Sequence, residues 1–237
     1  MKWMIALLSL LPALAFAEVG KVAEVGTGTR TGKDGKKEDL KVGTLIQLED
    51  SIKATKGVLK FELNDGSVIA LNEGSELKIN KAEFEGQERK GDGFLGFLKS
   101  GSLWTNVKKA VGGAPFQVET ERAVAGVRGT IFRIDADALV KGAKVSIVHV
   151  QDGIVRVNPS AQLKKQMAKG VKKVAGKGER KEVAGPQEVS ADEWEKRFAD
   201  LQKGQIITVG VDLWEQAEAA QKARDDAFSK WISGQPQ

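Results

Sequence analysis

The 237-residue chain contains no cysteine and only one histidine, His149. Without cysteine, thiol catalysis and a disulfide framework are unavailable, and a single imidazole cannot supply the usual zinc sites. The motifs H-E-x-x-H and G-x-S-x-G, which mark zinc proteases and serine hydrolases, are also missing. We therefore predict that the chain is not an enzyme, has no catalytic residue, holds no metal and needs no cofactor.

Two further chemical alternatives depend on the acidic residues. Carboxylate pairs that hydrolyse sugars are assembled across a fold and leave no spacing in the sequence, so a cryptic glycosidase stays the least favoured alternative. Asp135 and Asp137 offer two carboxylates, whereas calcium takes about six to eight oxygen ligands. We interpret both as turn residues and His149 as an ordinary strand residue.

Long hydrophobic runs are also scarce. The run Trp3–Leu14 follows Lys2, ends in Ala15-Phe16-Ala17, and is shorter than the about 20 residues of a membrane-spanning helix. A charged start, a short apolar core and an A-x-A end are typical of a secretory signal peptide. We expect residues 1–17 to be cleaved, which leaves a periplasmic or secreted chain without a transmembrane segment; an uncleaved anchor is the alternative.

What the chain does contain is alternation of apolar and polar residues, the spacing of strands with one buried face. Asp65-Gly66 and Asp152-Gly153 interrupt it, and Asp-Gly supplies the positive φ angles of a two-residue hairpin turn. We predict hairpins over Val58–Leu71 and Val148–Val157. The predicted fold is mainly β, with stacked β-hairpins in a sandwich-like or solenoid-like body and a short C-terminal α-helical tail. Alternating apolar positions include Phe116, Val118, Phe132, Ile134, Val148, Val150, Val155 and Val157.

Two charged stretches interrupt the strands. Residues 27–37 contain no apolar residue, which predicts an exposed hairpin tip or loop. A phosphate-binding loop is disfavoured because no apolar helix follows and the Gly-Lys-Ser/Thr ending is absent. Residues 83–96 are interpreted as a second, protruding loop. Within the first stretch the candidate partner-binding residues are Arg30, Lys33, Lys36 and Lys37.

These strand motifs resemble those of the FecR-domain family. The family pattern PFxVxT corresponds to Pro115–Thr120, the pattern AxAGVRGTxFxV to Ala123–Ile134, and an EGxVxV-like ending to residues 152–157. Upstream, the pattern LxDGSxIxL falls on Leu63–Leu71, and LxxGxxW falls on Leu98–Trp104. The resemblance extends over most of the predicted β region.

The resemblance implies a role in signalling at the envelope. The regulator branch of the family spans the inner membrane; its cytosolic segment controls an extracytoplasmic-function sigma factor, and its periplasmic part senses an outer-membrane siderophore receptor. Here no cytosolic segment precedes the apolar run, so we expect a likeness to the periplasmic half alone. One departure is Glu49, which stands before Asp50 where the family commonly has glycine, and it suggests a variant turn.

Arg128 lies beside Gly129 among strand-forming residues, and two interpretations are open. In the first, its guanidinium is buried and bonds a carboxylate or backbone carbonyls, while the glycines allow a close backbone approach. In the second, it reaches the surface and meets an anionic partner. We favour the first, since arginine is rarely buried unpaired, and then Arg128→Lys lowers the melting temperature. The candidate structural residues are Asp65, Gly66, Gly126, Arg128, Gly129, Thr130, Asp152 and Gly153.

After Pro159 the composition changes. Residues 160–189 are rich in lysine and glycine and are interpreted as a linker or extended loop. The alternative is a site for a polyanion or cell-wall glycan along the basic run 164–181. That run has no aromatic residue on which a nucleic-acid base could stack, so no specific nucleic acid is expected. The lysines concerned include Lys164, Lys165, Lys172 and Lys173.

Residues 190–237 are predicted to form the helical tail. A capping box at Ser190–Glu193 begins a first helix that ends at Gly204, a strand is possible over Gln205–Val211, and a second helix runs from about residue 212 to 232. Trp194 and Trp214 would lie on these helices and are further candidate partner-binding residues. Whether the helices dock on the β body is not decided by the sequence.

The sequence therefore predicts a FecR-like β domain over residues 18–159. We expect it to act as a non-catalytic, exported binding or interaction module of the cell envelope, related to envelope sensing. Its partner would be an envelope protein or a glycan.

Overall fold

The computed structural model describes residues 18–110, 113–170, 199–211, 214–218 and 227–235. These ranges are mainly β with two short helices, which confirms the predicted fold class. The predicted signal peptide lies outside them. The elements are β1 (Glu18–Thr31), β2 (Lys37–Asp39), β3 (Leu45–Gln47), β4 (Ser51–Leu63), β5 (Val68–Leu71), β6 (Glu76–Glu85), β7 (Glu88–Ser100), β8 (Ser102–Asn106), β9 (Phe116–Glu119), β10 (Ala123–Val127), β11 (Ile131–Val140), β12 (Ala143–Asp152), β13 (Ile154–Pro159), α1 (Ala161–Gly170), β14 (Ala199–Gln202), β15 (Gln205–Val209), β16 (Trp214–Glu218) and α2 (Ala227–Ser233).

The described strands form one sheet that curls back on itself. Its strand order is β14-β13-β10-β9-β7-β6-β4-β5-β8-β11-β12-β15-β16, with β1 added to β4 and with β2 and β3 added to β1. β14 is the first strand of this order, and β15 is the last but one. Along the chain, however, only two residues join β14 to β15. The two sides of the sheet must therefore lie together, which makes a nearly closed barrel.

We call the place where the two sides of the sheet meet the seam. Three chain segments cross it: Arg128–Thr130, Gly153 and Lys203–Gly204. β10 pairs with β13 up to Val127 and Val155, and β11 pairs with β12 from Ile131 and Asp152 onward. β14 and β15 continue alongside, on β13 and β12 respectively. A ribbon of three strands thus bends at the seam and continues on the other side.

Each crossing contains a glycine with a positive φ angle, at 66° for Gly129, 84° for Gly153 and 79° for Gly204. L-residues other than glycine rarely adopt this conformation. Gly153 also packs directly on the first crossing, since a Cβ there would lie 2.9 Å from the Gly129 carbonyl oxygen and 2.9 Å from Thr130 Oγ1. Thr130 Oγ1 donates to the Ile154 carbonyl at 3.0 Å. The bend therefore requires glycine at residue 153 for both conformation and space.

The predicted hairpin over Val148–Val157 is consequently wrong. β12 and β13 are consecutive, but they do not pair with each other; Asp152-Gly153 turns the chain from one side of the seam to the other. The predicted hairpin over Val58–Leu71 is confirmed, with β4 paired to β5 and a turn at Asp65-Gly66. Residues 83–96 are not a protruding loop, because β6 and β7 pair as a long hairpin.

The C-terminal predictions need correction as well. Ala199–Gln202 is a strand with Ala199 and Leu201 buried, so burial alternates with the strand period and not the helical one. Trp214–Glu218 is likewise a strand, and within the described part of the second predicted helix the helical residues are those of Ala227–Ser233. The predicted strand after Gly204 is confirmed as β15.

Part of the predicted basic linker is ordered as helix α1. Ser160 caps it by accepting from the Leu163 amide at 3.0 Å, and Leu163 is fully buried in the core. An extended loop is therefore wrong for residues 161–170, while residues 171–198 lie outside the described ranges. No helix in the described ranges is long and apolar enough to cross a membrane. The domain boundaries at residues 18–159 stay a prediction.

The barrel interior is filled by the alternating apolar residues. Phe94 and Phe116 stack with ring centroids 4.6 Å apart across the parallel pair β7 and β9. Burial of such aromatic and branched side chains supplies the main stabilisation of a chain without disulfides. The fully buried apolar residues include Ile52, Leu59, Phe61, Ile69, Leu71, Phe94, Phe116, Phe132, Ile134, Val148, Val150, Val155 and Val157.

Arg89, and not Arg128, is a buried and ion-paired arginine of the fold. Arg128 is exposed, and it makes no ion pair within the described ranges, so the favoured interpretation was wrong for it. Arg89 is 1% exposed, is ion-paired to Asp65 and donates to the Lys108 carbonyl at 3.0 Å. It therefore holds the turn between β4 and β5 against the segment that precedes β9. Burial lowers the pKa of Arg89, and Asp65 acts in the opposite direction.

Arg89→Met is expected to destabilise the chain by about 3 to 5 kcal/mol, because it leaves the Asp65 carboxylate buried without its partner. Arg128→Met removes the same charge at an exposed position and is expected to cost less than about 0.5 kcal/mol. Urea denaturation of both variants measures the difference. Equal losses, or a larger loss for Arg128→Met, would contradict this role for Arg89.

Gly153→Ala tests the seam, with Gly142→Ala as its matched control. Both glycines have a positive φ, 84° and 81°, so each substitution costs about 1 to 2 kcal/mol in conformational strain. A Cβ at Gly142 meets nothing within 4 Å, whereas at Gly153 it meets the Gly129–Thr130 backbone. Gly153→Ala should cost about 1 to 3 kcal/mol more in the free energy of unfolding, and the same loss in both variants would argue against close packing at the seam.

Candidate functional site

The hairpin tip between β1 and β2 gathers all four basic residues that the sequence singled out there. Arg30 pairs with Glu38 and Thr31 with Lys37 in the antiparallel register. The turn is closed by the Gly32 amide, which donates to the Lys36 carbonyl at 3.0 Å, and by the Lys36 amide, which donates to Asp34 Oδ1 at 3.0 Å. The exposed tip of the prediction is thus a structured hairpin turn.

A pocket of about 180 Å³ opens beside this turn. Three of the predicted residues line this one concavity: Arg30, whose side chain is largely buried, and the exposed Lys33 and Lys36. Such shallow concavities on loops that a rigid sheet supports are common places for binding. The full lining is Arg30, Gly32, Lys33, Asp34, Lys36, Glu38, Gln47 and Leu48.

Arg30 is fixed in place by carboxylates and a carbonyl. Its Nη2 lies 2.7 Å from Glu38, and its Nη1 lies 3.2 Å from Asp50 and donates to the Leu45 carbonyl at 2.8 Å. Asp50 is 1% exposed, and burial raises its pKa although the Gln47 amide and Arg30 act in the opposite direction. Arg30 therefore ties β1, β2 and β3 together and serves as the rigid floor of the pocket.

The rim differs from the floor because its cations are exposed. Lys33 lies 2.9 Å from Glu49, and in the described part of the chain Lys36 and Lys37 have no ion-pair partner. Two large apolar side chains are exposed on the segment that joins β2 to β3 and at the start of β3, Val42 at 67% exposure and Leu45 at 46%. The tip surface, which we define as Lys33, Lys36, Lys37, Val42 and Leu45, thus combines lysines with uncovered apolar groups.

Glu49, the departure from the family pattern, adopts the glycine-like conformation. Its φ angle is 71°, in the left-handed region that a non-glycine residue rarely occupies. Its amide donates to the Ile79 carbonyl at 3.0 Å, and its side chain reaches Lys33. The variant turn therefore keeps the backbone course of a glycine turn and adds a carboxylate to the tip.

The remaining predicted partner-binding residues are not brought to this site. Lys164 and Lys165 are exposed on α1. Trp214 lies in β16, and not on a helix as predicted. Lys172, Lys173 and Trp194 lie outside the described residues.

The sequence reasoning missed a polar cluster on the outer face of the sheet. Arg133 is 6% exposed; its Nε lies 3.1 Å from Asp135 Oδ1, and its Nη1 donates to Ser229 of α2 at 2.9 Å. Asp135 was interpreted as a turn residue but is buried within β11. The sequence signal for this cluster was the alternation of residues along β11. Phe132 and Ile134 lie on one face of the strand, so Arg133 and Asp135 lie together on the other face.

His149 is the cross-strand neighbour of Arg133. It lies within β12, as the interpretation as a strand residue requires. Burial lowers its pKa, and Arg133 lowers it further, whereas Asp135 acts in the opposite direction. Among the described residues, no group of three or more histidine, aspartate and glutamate side chains is placed to hold a metal ion.

The pKa of His149 predicts how stability depends on pH. In the unfolded chain its imidazole takes up a proton near pH 6.5, whereas in the folded chain the lowered pKa means that protonation requires a lower pH. The free energy of unfolding should therefore fall as pH drops below about 6.5, by up to about 1.4 kcal/mol per pH unit until the folded pKa is reached. His149→Gln removes this contribution. Urea titrations at pH 7.5 and 5.5 should show a smaller loss for the variant, and equal losses would contradict the prediction.

Comparison with known proteins shows a similarity to one family. Residues 50–156 match the model of the family described as FecR protein. Two crystal structures of a Parabacteroides distasonis protein, provisionally described as an anti-sigma factor, align at 21% identity with TM-scores of 0.48 and 0.47. Both alignments cover 78% of this chain but only 64% and 65% of those chains, less than two thirds of their length. No curated protein matches. The chain thus resembles the FecR family over residues 50–156, which is less than half of its length.

Proposed function

We propose that this FecR-domain chain is an exported, non-catalytic binding module of the cell envelope, and that its tip surface docks a partner protein. Residues 1–17 carry the layout of a secretory signal peptide, which supports export. In its sensing role the module would take part in envelope signalling, as the family resemblance implies.

The single observation that carries the proposal is the tip surface itself. Lys36 and Lys37 are exposed without ion-pair partners in the described ranges, and Val42, on the segment that joins β2 to β3, is 67% exposed. The ion pairs of Arg30 hold this surface rigid, so little conformational entropy is lost when a partner binds.

The chemistry of the surface favours a protein over a polyanion. A polyanion needs several cations spaced along a groove, and its affinity falls steeply with salt. The tip surface also contains the exposed side chains of Val42 and Leu45, which a phosphate or a sulfated glycan would leave exposed to water. A partner protein whose surface has acidic residues around an apolar centre would complement both the lysines and the exposed apolar side chains.

The basic run provides the matched control for a test of this function. Lys36→Glu/Lys37→Glu changes the tip, and Lys164→Glu/Lys165→Glu changes α1 by the same charge at equally exposed positions. Crosslinking of each full chain in the native envelope, followed by mass spectrometry, identifies the captured protein and reports whether residues 1–17 were removed. We expect the tip variant to lose at least about ten-fold in capture, a change of about 1.4 kcal/mol, and the α1 variant to keep it.

Three results would contradict the proposal. If the tip variant captures the partner as well as the unmodified chain does, the tip is not the docking surface. Capture that depends on Lys164 and Lys165 and disappears with added salt would favour the polyanion or glycan alternative. A mature chain recovered from the cytoplasm would remove the exported module altogether.

A further inference from the structure

The seam carries a cationic surface that the proposed function does not use. Lys108, Lys109 and Arg128 are exposed there, and their side chains make no ion pair or hydrogen bond with another described residue. Ile154, which begins β13, is 57% exposed. We call these four residues the seam surface. It includes the arginine for which the sequence left an anionic partner open.

Contacts between backbone segments bring the three cations together. A Cβ at Gly129 would lie 3.1 Å from Lys109 Cβ, so Lys109 packs on the residue that follows Arg128. On the other side, a Cβ at Gly66 would lie 3.9 Å from Lys108 Cγ. The segment that follows β8 therefore runs between the β4–β5 turn and the first crossing of the seam.

The acidic residues beside these cations do not neutralise them. Asp65, which precedes Gly66, is ion-paired to the buried Arg89. Asp152, which precedes the second crossing, has its Oδ1 3.5 Å from Lys203 Nζ. The seam surface therefore keeps a positive charge that attracts anions.

The guanidinium of Arg128 lies flat on the backbone of Gly113. A Cβ at Gly113 would lie 3.7 Å from Cζ, 3.7 Å from Nη2 and 3.8 Å from Nη1 of Arg128. In the guanidinium plane itself, no point that far away is equally distant from all three atoms, so the glycine lies over the face of the plane. Guanidinium groups stack in this way because they are weakly hydrated. The face of Arg128 is therefore packed, while the N–H groups along its edge have no acceptor among the described residues.

The backbone under the cations is fixed by hydrogen bonds. The Lys108 amide donates to Ser67 Oγ at 3.0 Å, and the Lys108 carbonyl accepts from the buried Arg89 at 3.0 Å. One residue earlier, the Val107 amide donates to the Thr130 carbonyl at 2.9 Å. Because the segment is held in this way, little backbone entropy is lost when a ligand binds.

The register of β10 and β13 sets Arg128 beside Ile154. Val127 and Val155 are the last pair of this ladder, so Arg128 and Ile154 occupy the next position on the two strands. Val127 and Val155 are buried, and their neighbours along an alternating strand point to the outer face. Opposite positions on one face have Cβ atoms about 4.5 to 5.5 Å apart. The Arg128 fork and an uncovered apolar side chain therefore share one surface.

The chemistry of this surface favours a carboxylate that has an apolar neighbour. An arginine fork donates two parallel hydrogen bonds to a carboxylate or a phosphate. A phosphate would leave Ile154 in water, whereas a polypeptide presents acidic and apolar side chains together. We propose that the seam surface binds an acidic segment of a partner protein, with a carboxylate on the Arg128 fork and an apolar side chain on Ile154.

This site is separate from the tip surface. β4 begins beside the tip, where Ser51 pairs with Thr31, and ends at Leu63, just before the turn that adjoins the seam surface. Its 13 residues span about 40 Å at about 3.3 Å per residue. The inference therefore stands or falls independently of docking at the tip.

The first experiment titrates the full chain with a short synthetic peptide that alternates glutamate and leucine, and follows the Nε–Hε resonance of Arg128 by NMR. The resonance should shift in saturable fashion, and the same peptide with glutamine in place of glutamate should not shift it. By fluorescence anisotropy, Arg128→Gln should weaken binding at least about ten-fold. Arg128→Lys should also weaken it, because an ammonium group keeps the charge but not the fork.

Arg156 provides a matched control for Arg128. It is exposed on the same outer face, two residues from Ile154, but its Nε and Nη2 lie 2.7 Å and 2.8 Å from the two carboxylate oxygens of Asp200. Arg156→Gln removes the same charge and should leave the affinity nearly unchanged, because this fork is already occupied. Ile154→Ser should weaken binding, whereas Leu139→Ser, at an exposed apolar residue away from the seam, should not.

Several results would overturn the site. They are the lack of a saturable Arg128 shift at millimolar peptide, equal binding of the glutamine peptide, and equal losses for Arg128→Gln and Arg156→Gln. Inorganic phosphate and vesicles of phosphatidylglycerol are titrated in parallel, and tighter binding of either one than of the peptide would overturn a protein segment as the ligand. Folding of each variant is checked by thermal melting, and Arg128→Lys decides the outcome where Arg128→Gln does not fold.

Discussion

The close packing of Gly153 on Gly129 and Thr130 is the constraint on which the rest of this structure depends. This packing lets a three-stranded ribbon bend at the seam while its strands stay hydrogen-bonded on both sides of the bend. Each of the three strands has a glycine with positive φ where it crosses the seam. With the bend in place, the two sides of the sheet meet and enclose one apolar interior. No disulfide supports this closure, since the chain has no cysteine. The residues at the seam belong to the stretch that carries the resemblance to FecR domains, and the family match at residues 50–156 includes two of the three crossings.

The seam also positions the surface on which α2 packs, whereas the tip surface lies elsewhere. Ile131 and Arg133 follow Thr130 directly, so the first residues of β11 after the bend emerge on the outer face, where α2 packs. The tip surface extends from β1, which is joined to the barrel through β4 and lies outside the strand order of the closed part. One surface is therefore covered by the chain's own helix, whereas the other carries exposed lysines and apolar side chains. This difference is why docking is proposed for the tip.

The sequence predicted the elements better than their connections. Period-two alternation identified the strands around Phe61, Phe116 and Val148, because one buried face is a local property of a strand. The Asp152-Gly153 turn was misassigned because a glycine with positive φ serves a hairpin and a bend equally well, and only the pairing of β12 and β13 with other strands separates them. Arg128 was expected to be a buried cation because its neighbours are strand-forming. The burial of Arg89 was not predicted, because it depends on Asp65 and on carbonyls far along the chain. Of the candidate site, the exposed basic tip was predictable from composition, while the pocket and the neighbouring Val42 required the register of β1, β2 and β3.

Native-state hydrogen exchange at the seam tests the central claim most directly. The Gly204 amide donates to the Val150 carbonyl at 2.9 Å, and the Val107 amide donates to the Thr130 carbonyl at 2.9 Å, so both report whether the seam stays closed. If the bent ribbon closes the barrel, these two amides will exchange only through global unfolding, with the same free energy of opening as the central pair β4 and β5. Exchange of the Gly204 and Val107 amides at a clearly lower free energy than β4 and β5 would show that the sheet opens at the seam, and would contradict the account.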